Sequence, residues 1–245
     1  MNRLKASMMC SFALVRRGII VIAVMEIITL AILLSGAWDY LVQLILGIKI
    51  EDVRIALGLD TGIIGALFIF GISFYGRHSD FCLSNSVSGK YRLITFGTVL
   101  GSVCLLTAAL TALVYGIAGK EYSYSFSEFY RFMVTGGIFD KNMAAASFAE
   151  NLFYYISAVS FGSFIGGLRE KKGDGFTLLM LLIGAAVIFV MAYIGQSIAA
   201  YICIPFAFML RGRFTAVIMY FILSAVFLFF TFKLSDSFYF STTED

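Results

Sequence analysis

Glu26 is the residue whose type and setting most directly invite chemistry. It stands inside an apolar run that starts near Gly18 and reaches at least Ser35. On a helix it lies about nine residues, or roughly 13 Å, beyond Arg17. A carboxylate at that depth is costly unless it is paired, wetted or protonated. Two readings are open for it: a group facing a translocation route or a subunit interface, or a structural one, in which a protonated carboxyl is hydrogen-bonded to a neighbouring helix or tilt brings the residue near the surface. Glu150 falls nearer an expected outer boundary, so its signal is weaker. His78 is the only histidine. A Ser/His hydrolase or a multi-histidine metal site needs partners that the sequence does not place beside it. Cys10, Cys82, Cys104 and Cys203 show neither a CxxC nor a metal-ligand spacing and read as reduced packing residues. No GxxxxGK[ST] phosphate loop is present, and the glycines from Gly162 to Gly167 sit in an apolar run without the lysine. The chain is expected to be neither an enzyme nor a metal binder.

The elements that position these residues follow from composition. Of 245 residues, 60% are hydrophobic and 13% charged. A soluble domain is about 25% charged. Mean hydropathy is +0.94. The solvent for most side chains is therefore lipid, where only helices or closed barrels satisfy their backbone. The apolar runs are continuous rather than alternating, which excludes a barrel. The expected fold is all-α and polytopic, with room for about six spans. Their expected bounds are 18–35, 61–75, 93–118, 148–168, 176–195 and 214–232. Residues 1–17 form an amphipathic cytoplasmic segment, 18–232 the transmembrane domain, and 233–245 a polar tail. Arg3, Lys5, Arg16 and Arg17, with no acid among them, place the N-terminus in the cytoplasm. The loops around Arg77 and Arg169 fall on the same side. Residues 197–213 contain the only proline, Pro205, and are expected to be an outer re-entrant or interfacial element. Both termini of this multi-pass cell-membrane protein are then cytoplasmic. Gly97/Gly101 and Gly162/Gly166 each form a GxxxG suited to close helix contact within the chain. The aromatic stretch from Tyr122 to Phe132 reads as an interface belt.

The polar stretch from Arg77 to Arg92 interrupts spans two and three. Phe81, Leu83 and Val87 form an apolar ridge suited to a short helix on the membrane surface, and Ser84 to Ser88 offers turn chemistry. This stretch resembles the corresponding loop of type-2 ABC exporter permeases. That loop has a charged start, a leucine-leucine-x-x-proline-valine-serine-arginine middle and a glycine-lysine lead into the third helix. Here Arg77 starts it, Phe81-Cys82-Leu83-Ser84-Asn85-Ser86-Val87-Ser88 forms the middle, and Gly89-Lys90 leads onward. Ser86 stands where the family has proline, and the arginine after the serine is displaced. The basic N-terminus, the Arg169-to-Lys172 turn and the final aromatic helix match the family's layout over nearly the whole chain.

The resemblance implies a six-helix permease with a coupling helix that docks on a separate ATPase subunit. Arg77, Asp80, Phe81, Leu83, Val87 and Lys90 are then the coupling residues. ATP and magnesium would be bound by that partner, with no cofactor in this chain. The other implied partners are a second permease copy or a sister permease, and the lipid bilayer; no nucleic acid is expected. The expected activity is export of a hydrophobic or amphipathic substrate such as a peptide. The alternative is a non-transporting membrane immunity or sensor subunit that binds a peptide or a partner protein.

Overall fold

The computed structural model describes residues 2–35, 59–84, 89–117, 144–183 and 213–241. Among them the chain is all-helical. In order these helices are α1 (Asn2–Leu34), α2 (Leu59–Ser84), α3 (Gly89–Ile117), α4 (Ala144–Lys172), α5 (described over Asp174–Ile183) and α6 (Arg213–Ser241). None contains a proline. The expected elements at 120–143 and 197–212 lie outside the described residues.

Two boundaries differ from the sequence expectation. α1 runs through Arg17 and Gly18 without a break, so the basic segment and the apolar run are one rod of 33 residues. Charge marks a change of solvent but does not break a helix. α2 likewise continues past its apolar part, so Arg77 to Ser84 extends the helix instead of forming a separate surface helix. No glycine or proline stands between Gly76 and Gly89 to stop it earlier.

α4 packs along both α2 and α6 and also touches α3, while α1 packs on α3 and α2. The α2–α4 seam is made by glycine. A Cβ on Gly162 would fall deep inside the Phe68 carbonyl oxygen, and one on Gly166 would come within 2.9 Å of the Ile72 carbonyl oxygen. From the other side, a Cβ on Gly71 would stand 3.0 Å from the Ser163 backbone nitrogen. Backbone meets backbone here, the close approach that small residues permit between membrane helices. The Gly162/Gly166 pair thus does what its spacing predicts. Gly97 and Gly101 do not: an added Cβ there meets nothing within 4 Å.

The pairings fix helix direction. Phe68 opposes Gly162 and Gly76 opposes Glu170, so α2 and α4 run parallel. Phe153 meets Phe221 and Phe164 meets Phe230, so α6 runs with them. Gly18 lies against Phe70 and Gly62 against Met25, so α1 runs antiparallel to α2. Arg16, Arg17, Arg77, Arg92, Arg169, Lys171, Lys172 and Lys233 therefore gather at one end of the bundle, with Phe232 packed on Phe96 there. Arg213 opens α6 at the other end. The first helix starts, and the last helix finishes, on the same basic end.

Among the described residues, two helical stretches are long and apolar enough to cross a bilayer, Ile94–Val114 and Phe214–Lys233. Gly62–His78 and Asp174–Ile183 are shorter apolar helices. Only 28% of the Phe214–Lys233 stretch is buried, where a soluble core helix would be mostly buried. Phe214, Phe221 and Phe229 on α6, Ile27 on α1 and Leu113 on α3 all face outward. Meanwhile Thr95, Thr107, Ser160, Ser163 and Thr231 are buried. Most such hydroxyls return their proton to the carbonyl one turn back: Thr107 to Val103 at 2.9 Å, Ser160 to Ile156 at 2.6 Å and Thr231 to Phe227 at 2.7 Å. Large apolar side chains thus face outward around a core that is itself mainly apolar, with hydroxyls interspersed, and that outer face is unlike the surface of a water-soluble bundle.

Candidate functional site

A buried polar node joins three helices. Glu26 of α1 is 2% exposed. Its Oε1 lies 2.5 Å from the hydroxyl of Thr111 on α3. That hydroxyl is also 2.9 Å from the Thr107 carbonyl and 3.2 Å from the Tyr155 hydroxyl of α4. Thr111 and Tyr155 are both fully buried. Glu26 Oε2 is buried as well and has no hydrogen-bond partner among the described residues. The Thr111 hydroxyl has one proton and three neighbours, so it can serve only one of the acceptors at a time. The node therefore supports more than one pattern of hydrogen bonds.

Sequence reasoning singled out Glu26 by depth alone and did not find Thr111 or Tyr155. The buried hydroxyls of this chain look alike in sequence, and most satisfy themselves within their own helix. Glu150 also proves more buried than its position suggests. It lies in the second turn of α4 yet is 0% exposed, beside Asn151 at 5%. A place near a helix start does not imply contact with solvent when a neighbouring helix covers that face.

The coupling candidates lie at the basic end. Arg77 and Asp80 are exposed on the extension of α2, and Phe81 is half-buried. Leu83 and Lys90 belong to α2 and α3 respectively, and Val87 lies outside the described residues. The structure thus brings Arg77, Asp80 and Phe81 together on one helical turn. It adds an anchor beneath them. His78 is 2% exposed, with its ring centroid 5.3 Å from Phe74 and 5.6 Å from Phe96. Its Nε2 lies 3.4 Å from the Arg92 carbonyl oxygen, which can only accept, so Nε2 carries the proton. Burial pushes the His78 pKa down to about 4, with the nearby Arg92 charge acting in the same direction and the hydrogen bond opposing both.

α4 ends at the same end of the molecule. Gly173 takes φ +84° and donates to the Arg169 carbonyl at 2.9 Å, the left-handed stop that glycine adopts without steric cost. Thr177 Oγ1 donates to the Gly173 carbonyl at 3.0 Å. Arg169 reaches across the turn to Asp174, Nε to Oδ1 at 2.5 Å and Nη2 to Oδ2 at 3.4 Å. Through these hydrogen bonds and its charge, Arg169 holds the Asp174 carboxyl below the usual range. Arg169, Lys171 and Lys172 occupy the last turn of α4, where positive charge complements the helix dipole. Comparison with family models, with curated proteins and with solved structures finds no match.

Proposed function

We propose that the chain is an integral-membrane permease subunit, driven by a separate ATPase that docks at its basic, cytoplasmic end. One observation carries the membrane reading: large apolar side chains face outward along α1, α3 and α6. Lipid is the surrounding that favours such an outer face, and the buried carboxyls of Glu26 and Glu150 support the transport reading, because intramembrane carboxyls commonly mark solute pathways. The gathering of basic residues at one end supports its cytoplasmic placement. The same end carries both the start of α1 and the finish of α6, which supports an even number of crossings.

The ATPase partner comes from the resemblance of Arg77 to Lys90 to a coupling loop. The structure's contribution is mechanical. Arg77, Asp80 and Phe81 ride on a continuous helix whose base is locked by His78 between Phe74 and Phe96. A push on such an extension reaches the bundle without an intervening hinge. Affinity purification in mild detergent tests the reading. A stoichiometric ATPase should copurify, and substrate should stimulate its ATP hydrolysis after reconstitution. A chain that binds a peptide or protein but recruits no ATPase would instead be an immunity or sensor subunit.

A further inference from the structure

We propose that Glu26, with Thr111 and Tyr155, forms an exchangeable proton-binding site, with the proton taken up at the carboxyl. The site is not part of the ATPase reading and stands or falls separately.

The argument starts from what surrounds the carboxyl. Glu26 is 2% exposed and makes no ion pair among the described residues. On its own helix the nearest basic side chains, Arg16 and Arg17, are exposed and roughly 13–15 Å away along the axis. On α2, Gly62 faces Met25. The titratable side chains described on α2 begin at Tyr75, roughly 20 Å further along. On α3, Cys104 is roughly 10 Å from Thr111 along the helix and Arg92 roughly 28 Å. On α4, Tyr155 belongs to the node, and Glu150 lies roughly 7 Å nearer the helix start. None of these groups supplies a compensating positive charge. A bare carboxylate in such a place is several kcal/mol too costly to persist.

The node accommodates the carboxyl with and without its proton. A proton on Oε1 is donated to Thr111 Oγ1, and Thr111 turns its own proton to the Thr107 carbonyl. When the proton leaves, Thr111 donates to Oε1, and Tyr155 donates to Thr111. Exchange requires an opening, because Glu26 Oε2 is sealed from solvent. Proton occupancy and opening of the bundle around Glu26 are therefore linked.

The full-length protein in lipid nanodiscs gives the test, wild type against Glu26→Gln. Infrared difference spectra in light and heavy water, taken across a pH titration, report the carboxyl directly. A carboxylic-acid band that shifts on exchange into heavy water, gives way to a carboxylate band as pH rises and is lost in Glu26→Gln supports the proposal. An acid band that neither exchanges nor titrates overturns it, because the carboxyl is then a permanently protonated structural group. A carboxylate band persisting down to the pH of an ordinary glutamate also overturns it, because the carboxyl is then neutralised by the protein itself. Infrared amide bands show whether Glu26→Gln remains folded. If it does not, Thr111→Ser, which keeps the hydroxyl, supplies the comparison through a shifted carboxyl band.

Discussion

Replacing Gly162 by alanine adds one methyl group at the tightest place in the bundle, and its cost can be worked out. The new Cβ would stand 3.0 Å from the Phe68 carbonyl carbon and 3.2 Å from the Phe68 Cα, and closer still to the carbonyl oxygen. Carbon atoms prefer roughly 3.5–4.0 Å. Both obstacles are main-chain atoms of a helix, so no rotamer change relieves them. α2 and α4 must separate by about 0.5–1 Å, which forfeits a quarter to a half of each dispersion contact across the seam. With about 50 atom pairs at roughly 0.1–0.2 kcal/mol each, the loss is about 1–5 kcal/mol. That overlaps the range of about 1–3 kcal/mol for overpacked cores. Gly97→Ala is the internal control. Its Cβ meets nothing within 4 Å. There alanine should stabilise α3 by roughly 0.5–1 kcal/mol through backbone entropy. Unfolding in mixed micelles, titrated with sodium dodecyl sulfate and followed by circular dichroism, measures both. Equal stability of Gly162→Ala and wild type would refute backbone contact at this seam, and a destabilised Gly97→Ala would refute the open surface assigned to α3.

His78 gives a pH dependence with a definite sign. Its folded pKa lies near 4 against 6.5 for an ordinary histidine, so the unfolded chain binds the extra proton between those values. Stability contributed by the neutral ring is complete above about pH 7 and is lost as pH falls toward 4, by up to about 3 kcal/mol. His78→Phe should flatten that part of the profile in chemical unfolding, and an unchanged slope would move the effect elsewhere. Gly173→Ala places a Cβ at φ +84°. It should cost about 1 kcal/mol in the same unfolding assay, with no change if the turn relaxes freely. If the proposed ATPase docks on this turn, Phe81→Ala should weaken its association or uncouple hydrolysis from transport, whereas Ser84→Ala should do neither, because apolar anchors dominate interfaces. Copurification and substrate-stimulated hydrolysis measure this, and wild-type behaviour of Phe81→Ala would place the contact elsewhere.

Run length and polarity in the sequence predict the helical class, the Gly162/Gly166 seam and the place of Glu26 within a helical apolar run. They predict these because each rests on a local signal: apolar run length, a spacing of four, a charge within a run. The partners of Glu26 carry no such signal. Thr98, on the surface of α3, bonds back to Ile94 at 2.7 Å just as a buried threonine does, so residue type alone does not reveal that Thr111 also reaches across to α1. The break expected after Arg17 and the loop expected from Arg77 fail for a common reason. Both were placed where polarity changes, whereas helices end where backbone conformation changes. Two equally spaced glycine pairs also have different fates, because Gly97/Gly101 face away from the other described helices and Gly162/Gly166 face α2.

The glycine seam between α2 and α4 acts as a mechanical key. Two helices that touch through side chains can roll past one another as rotamers yield. At Gly71 and Gly162 there are no side chains to yield, and rotation of either rod would drive its flanking residues into the other's main chain. A torque applied to the exposed turn at Arg77 and Asp80 is then converted into joint displacement of α2 with α4, and α6 is carried along by its own contacts with α4. The relative motion left to the bundle lies against α1 and α3. Spin labels on exposed sites of α2 and α4 should keep a fixed separation through the ATP cycle of the proposed complex, while either label changes its distance to α1.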